Sequence, residues 1–239
     1  MRHALILAAG LGERMRPLTD RTPKPLLSVG GKPLIVWHLE KLAAADVRYV
    51  VINTSHLAEQ FPEALGDGSR WGLRIRYAYE GPTPLETGGG MLNALPLLGP
   101  EPFIAVNGDI WTDADFATLP SAPAGLAHLM LVDNPAHHPA GDFILGPANQ
   151  VQDKGGSRKL TFSGVGIYRP ELFAGWRDAI GDTPESTMKP PRFKLAPVLC
   201  AAMGHGAVSG SHHTGSWTDV GTPERLAALD AALNATSRG

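Results

Sequence analysis

From residue 4 to residue 107, short apolar runs of strand length alternate with segments whose apolar residues recur near helical spacing. Ala4–Ala8, Tyr49–Asn53, Leu73–Tyr77 and Phe103–Asn107 read as strands; Pro33–Ala45, His56–Leu65 and Thr87–Leu98 read as helices. This βαβα order predicts an α/β fold, a Rossmann-like, mostly parallel mixed sheet with helices on both faces. Sheets of that kind bind ligands beyond the carboxyl ends of their strands. Gly10, Asn107 and Asp109 each follow an expected strand, so they should gather along that edge. The second half is less regular. Gly125–Asp133 and Thr161–Tyr168 are expected as strands, Lys194–Met203 and Pro223–Leu233 as helices. Gly181–Arg192 carries Pro184, Pro190 and Pro191 and is the best candidate for a mobile loop.

The chain has 239 residues and fits one domain. Apolar residues make up 43 %, enough for a sizeable core, yet no run approaches the roughly 18 apolar residues that would span a bilayer. The first ten residues are therefore expected as a buried strand and not as a secretory signal, with no membrane partner. Cys200 is the only cysteine, which excludes an internal disulfide and any multi-cysteine metal site and makes a reducing cytoplasm the default address. Net charge is −2, but residues 1–32 hold six basic side chains against two acidic ones. A local basic cluster in a mildly acidic chain suits a small polyanion, not a nucleic acid.

That cluster sits on the run LAAGLGERMRPLT at residues 7–19, followed by TPKPL at 22–26. Gly10, Leu11, Gly12 and Glu13 form the loop, and its glycines let backbone N–H groups approach phosphate oxygens closely. Arg14 and Lys24 then supply charge for a triphosphate, one as a planar fork and one as a point charge. Two common phosphate motifs fail on spacing. A dinucleotide fingerprint needs glycine where Met15 stands, and a Walker A loop needs Gly-Lys-Ser/Thr, which does not follow Gly12.

LAAGLGERMRPLT with TPKPL resembles the signature of the sugar-1-phosphate nucleotidyltransferases, and the resemblance continues along nearly the whole chain. PLETGGG at 84–90 resembles the family's base-recognition turn, VNGDIW at 106–111 its first metal motif, and WTDVGTPE at 217–224 its second. LETGGG, VNGDIWTD, LVDNP, GDF and FKLAP are most similar to the branch that acts on N-acetylmuramic acid 1-phosphate with UTP in bacterial cell-wall recycling. The resemblance implies a cytoplasmic, Mg²⁺-dependent enzyme in which Asp109 and Asp219 hold the metal. Residues 1–120 would mainly serve the nucleotide and 121–239 the sugar.

For the base, Glu86, Thr87 and Gly88 are expected to form a tight turn, with Thr87 also placed to cap the following helix. These residues leave uridine, thymidine and guanosine open; the preference for UTP belongs to the resemblance. For the sugar the candidates are Asn107, Asp142 and Lys194, the last facing either the sugar's phosphate or a lactyl carboxylate. Glu13 is placed to touch the ribose or pair with Arg16, Trp217 to brace the metal site, and Asp113 and Asp115 to cap the segment after them. Two departures stand out. DKGGSRKL at 153–160 replaces the family's Glu-Lys-Pro stretch, and Phe162 stands where an asparagine usually opens the sugar-binding strand. The adjacent pairs His137-His138 and His212-His213 would point to opposite faces of a strand and make no zinc site.

No general base is required, since a sugar phosphate is already an anionic nucleophile at neutral pH. The expected chemistry is one in-line displacement governed by charge and alignment. Arg14, Lys24 and Asp109 are its catalytic candidates. A mannose-1-phosphate guanylyltransferase shares these motifs and is the alternative enzyme. A non-catalytic regulatory subunit would be marked by loss of Arg14, Lys24, Asp109 or Asp219, all of which are present.

Overall fold

Residues 2–156 and 158–236 are described by the computed structural model; Ser157, within the 153–160 stretch, lies outside them with Met1 and residues 237–239. The first half runs β1 (His3–Leu7), β2 (Ser28–Val29), β3 (Lys32–Pro33), α1 (Leu34–Ala44), β4 (Tyr49–Thr54) and α2 (Gln60–Leu65). It continues with β5 (Arg74–Tyr79), α3 (Glu86–Leu98), β6 (Phe103–Asn107) and β7 (Ile110–Thr112). Then follow β8 (Ala127–Val132), β9 (Ile144–Leu145), β10 (Val151–Gln152), β11 (Thr161–Tyr168), α4 (Trp176–Ile180) and α5 (Leu195–Gly204). β12 (Val208–His213), β13 (Trp217–Asp219) and α6 (Pro223–Thr236) complete the described chain.

Seven strands form one sheet in the order β12-β8-β11-β6-β1-β4-β5. The pairs β6-β1, β1-β4, β4-β5 and β12-β8 are parallel, and β11 alone runs antiparallel to both neighbours. The sheet is thus the mostly parallel mixed sheet expected from the pattern. Its strands are apolar at consecutive positions because both faces are covered. In β1, Leu5 joins the core under α3 and α5, while Ala4 and Ile6 join the core under α1 and α2. β6 repeats the division, with Phe103 and Ala105 on the first side and Ile104 and Val106 on the other. Each such fully buried side chain contributes on the order of 1.5–3 kcal/mol for the larger residues.

Two local expectations are corrected, and two elements appear that the pattern does not announce. α2 begins at Gln60 and not at His56, because Leu57 adopts φ 51°, through which a helix does not continue. α3 begins at Glu86, so Thr87 lies inside its first turn and is not the cap; Leu85 holds that position without a side-chain bond. α4 is a five-residue helix that the sequence pattern does not announce. Nor does the pattern announce β12, whose sequence VSGSHH lacks a strand-like apolar run. Its serines answer a neighbour's need instead: the ring nitrogens of His128 on β8 lie 3.0 Å from Ser209 Oγ and 3.2 Å from Ser211 Oγ. No helix among the described residues is long and apolar enough to cross a membrane.

Candidate active site

The carboxyl ends of β1, β4, β5 and β6 open into a cleft of about 600 Å³. Its lining includes Gly10, Leu11, Gly12, Glu13, Arg14 and Lys24, along with Glu86, Thr87, Asn107 and Asp109. The loop after β1 is shaped by Gly12. Its φ of 65° suits glycine, and any Cβ there would lie 2.8 Å from Thr19 Cγ2. Thr19 is buried and donates from Oγ1 to the Gly12 carbonyl at 2.8 Å, so the loop closes on its own following turn. Arg14 is exposed along the cleft. Arg16 pairs with Asp20 at 3.3 Å and not with Glu13, which removes the second of the two readings of Glu13.

Strand pairing draws together two segments that carry Asp109 and Asp219, 110 positions apart; Asp109 lines the cleft and Asp219 does not. β13 pairs antiparallel with β7, setting Asp219 opposite Ile110, and the Val220 N–H donates to the Asp109 carbonyl at 2.7 Å. Lys24, buried, donates from Nζ to Asp109 Oδ2 at 2.7 Å. Arg225 on α6 donates to Asp219 Oδ1 at 2.8 Å, and His137 Nε2 lies 2.8 Å from the same oxygen. Each cation engages one oxygen, leaving Oδ1 of Asp109 and Oδ2 of Asp219 outside those contacts.

A hard-oxygen pair of this kind fits Mg²⁺, which needs only one or two carboxylates when waters and substrate phosphates complete its shell. No group of three or more His, Cys, Asp or Glu among the described residues is arranged to hold an ion, so substrate oxygens would be needed. Asp113 behaves otherwise: it accepts from Ser216 N at 3.0 Å and lies 2.7 Å from His213 Nε2, and caps nothing after it. Asp115 does cap, accepting from Ala117 N at 2.9 Å. Trp217 donates to the Ser163 carbonyl at 2.8 Å, tying β13 to the irregular part of β11. There Gly164, at φ 83°, leaves room for Asn107, whose Nδ2 would lie 2.8 Å from a Cβ.

The glycine run after Glu86 is a packing device. A Cβ on Gly88 would lie 2.6 Å from the Phe193 ring, and one on Gly89 2.4 Å from the Pro191 carbonyl oxygen. Gly88 is buried behind the cleft wall and does not line it. The 181–192 segment, named as the candidate for a mobile loop, ends docked here: Arg192 donates from Nε to the Pro84 carbonyl and from Nη2 to Glu86 Oε1, both at 3.1 Å, and the next residue, Phe193, accepts from Gly89 N and donates to the Leu85 carbonyl. Buried Ser186 folds the loop on itself by donating to the Gly181 carbonyl at 2.9 Å. Gly→Ala in an exposed helix interior ordinarily stabilises by up to about 1 kcal/mol. Gly89→Ala is instead predicted to destabilise by about 1–3 kcal/mol through overpacking. A urea unfolding curve checks the sign, and a more stable variant would mean that Pro191 does not press on α3.

Asp142 and Lys194 lie away from the main cleft. Asp142 accepts from Phe162 N at 2.8 Å and lies 3.0 Å from His138 Nε2. Lys194 is exposed and lines a second hollow of about 310 Å³, which shares Glu86 and Arg192 with the cleft.

The cleft also contains Asn53, Glu80 and Arg192, which the sequence reading missed. Asn53 lies near the end of β4 and Glu80 directly follows β5. The strand-end argument that selected Asn107 would have found both. Glu80 is buried; desolvation pushes its carboxyl pKa up, while hydrogen bonds from Leu85 N and Asn53 oppose that shift.

Comparison with known proteins places the chain in a family. Residues 3–132 match the family model described as nucleotidyl transferase. N-acetylmuramate alpha-1-phosphate uridylyltransferase of Neisseria meningitidis serogroup B is 52 % identical over 238 residues, covering 97 % of this chain and 98 % of the relative. The protein of the same name from Caulobacter vibrioides is 35 % identical, with 96 % of each chain covered. Among solved structures, the inositol-1-phosphate CTP transferase of T. maritima superposes with a TM-score of 0.74 over 98 % of this chain and 95 % of the other, at 19 % identity, a likeness of fold. A glycine loop with its lysine, paired strand-end aspartates and full-length relatives converge: this chain belongs to the nucleotidyl transferase family.

Proposed function

We propose that the chain transfers a uridylyl group from UTP to N-acetylmuramic acid 1-phosphate and releases pyrophosphate. The observation that supports the reaction class is the β7-β13 pairing, which sets Asp219 opposite Ile110, next in the chain to Asp109, whose carboxylate bonds Lys24 in the cleft that the glycine loop also lines. The choice of UTP and of the muramyl sugar is supported by the 52 % identity to the Neisseria enzyme along almost the entire length of both chains.

A sugar-phosphate oxygen attacks the α-phosphorus of the nucleotide, and the bond from that phosphorus to the α–β bridging oxygen breaks. The electron pair leaves with pyrophosphate, and no proton needs to be removed from the nucleophile. The Gly10–Gly12 backbone would receive the phosphates, Arg14 would stabilise the departing pyrophosphate, and Lys24 the charge around the reacting centre. Asp109 and Asp219 would hold Mg²⁺, which when bound neutralises phosphate charge and polarises the phosphoryl group. Asn107, at the end of β6, would face the sugar phosphate. Asp142 and Lys194 remain candidates for the sugar's outer groups. The presence of Arg14, Lys24 and both aspartates supports an active enzyme, and the lone Cys200 supports the cytoplasm as its address.

The test is pyrophosphate release with Mg²⁺, pairing UTP, dTTP, CTP and GTP with muramyl, N-acetylglucosaminyl, glucosyl and mannosyl 1-phosphates. Turnover confined to UTP with the muramyl substrate is the expected result. Preference for GTP with mannose 1-phosphate would replace the substrates and keep the reaction. Folded protein that turns over none of the pairs would remove the catalytic reading.

A further inference from the structure

Three buried hydrogen bonds run across the floor of the cleft. The Ala8 N–H, in the phosphate loop, donates to Asn53 Oδ1 at 2.6 Å. Asn53 Nδ2 donates to Glu80 Oε1 at 2.6 Å, and Leu85 N–H, in the turn before α3, donates to Glu80 Oε2 at 2.8 Å. Asn53 and Glu80 are 3 % and 6 % exposed, so their polar atoms depend chiefly on these partners. The chain thus links the ends of three adjacent parallel strands, β1, β4 and β5. Gly90 completes the arrangement: a Cβ there would sit 2.4 Å from Glu80 Oε1 and 2.8 Å from Asn53 Nδ2. The third glycine of the run is what lets α3 lie directly over the pair.

Resting on the nucleotide-binding reading above, we infer that Asn53 and Glu80 are positioning residues that lock the phosphate loop to the base turn. Recognition of the triphosphate and of the base then becomes one event. The polarity of the chain explains the residue types. Two backbone donors, at Ala8 and Leu85, face inward from opposite ends, so a bridge of two side chains must present an acceptor at each end and one donor between. An amide next to a carboxylate meets that requirement. The carboxylate accepts twice, and low local dielectric strengthens each bond while making any mismatch costly.

The same rule yields a test by exchange. Glu80→Gln forces an amide N–H against either Asn53 Nδ2 or the Leu85 N–H. Asn53→Asp sets two carboxylates against each other. The double variant Asn53→Asp with Glu80→Gln reverses the middle bond and restores all three. In it the carboxylate at position 53 accepts from Ala8 N–H and from the amide at position 80, whose carbonyl accepts from Leu85 N–H.

Calorimetric titration with UTP, CTP and inorganic tripolyphosphate, with a thermal melt of each protein, reads the outcome. Each single variant should bind UTP about tenfold or more weakly, and the exchange variant should return to within about threefold of wild type. Asn53→Asp should also reduce the preference for UTP over CTP, although Asn53 bonds the phosphate loop and not the base turn. Folded single variants with wild-type UTP affinity would overturn the inference. So would an exchange variant no better than the worse single, or an unchanged UTP/CTP ratio in Asn53→Asp. Wild-type protein that binds no nucleotide would overturn both this inference and the proposed function.

Discussion

Asp109→Asn should lower turnover by about two to four orders of magnitude, the range typical when charge stabilisation is removed from a phosphoryl-transfer site. Asparagine nearly matches the shape, and its carbonyl can still accept from Lys24 Nζ where Asp109 Oδ2 does at 2.7 Å. What disappears is the negative charge, so the loss reports on electrostatics and not on loop geometry. Asp219→Asn should behave alike, since Asp219 lies opposite Ile110 in the β7-β13 pair and is held by Arg225. The side chain of Asp109 is 40 % exposed, so its removal from the pair with Lys24 should cost little stability. Asp113→Asn is the discriminating control. That carboxylate lies four positions further on, but it bonds Ser216 N and His213, and its replacement should leave turnover within a few-fold. Pyrophosphate release at saturating substrates checks all three variants. Wild-type turnover in Asp109→Asn, or an equal collapse in Asp113→Asn, would remove the assignment of the two aspartates.

The sequence was most informative where a single local constraint decides the outcome. Apolar runs such as Ala4–Ala8 and Phe103–Asn107 belong to parallel strands buried on both faces, so their pattern alone announced the sheet. The glycine loop was legible because phosphate binding needs bare backbone and cations close together in the chain. β12 was illegible because its polar serines satisfy His128 on a neighbouring strand, a tertiary reason that periodicity does not carry. Glu80 was within reach of the sequence, because it directly follows β5 and the strand-end argument applied to Asn107 extends to it; only its partners, Asn53 and Leu85, needed the fold. LETGGG drew notice for base recognition, yet its three glycines answer to Phe193, Pro191 and Glu80, contacts made only after folding.

A second large effect should appear as acid sensitivity traced to one residue. His38 on α1 is fully buried; desolvation lowers its pKa from 6.5 to about 4, with the Ile110 backbone and the Asp109 charge opposing the shift only in part. Neither ring nitrogen makes a well-formed hydrogen bond. The folded state therefore keeps His38 neutral where the unfolded chain would bind a proton. For a group whose folded pKa is depressed, stability is fully present above the unfolded value near 6.5 and is lost as pH falls toward 4. The full span corresponds to about 3 kcal/mol, of which about 2 kcal/mol should already be gone at pH 5. His3 and His128 are shifted down by burial as well, so wild type alone does not isolate the contribution. His38→Leu does, because it removes the titrating ring and also a buried polar group without partners. The variant should be no less stable than wild type at pH 7 and distinctly more stable at pH 5, the difference between the two proteins widening as pH falls. Urea unfolding at pH 7, 6 and 5 measures that difference. Parallel stability curves would mean that His38 takes up protons alike in the folded and unfolded states, and that burial does not depress it.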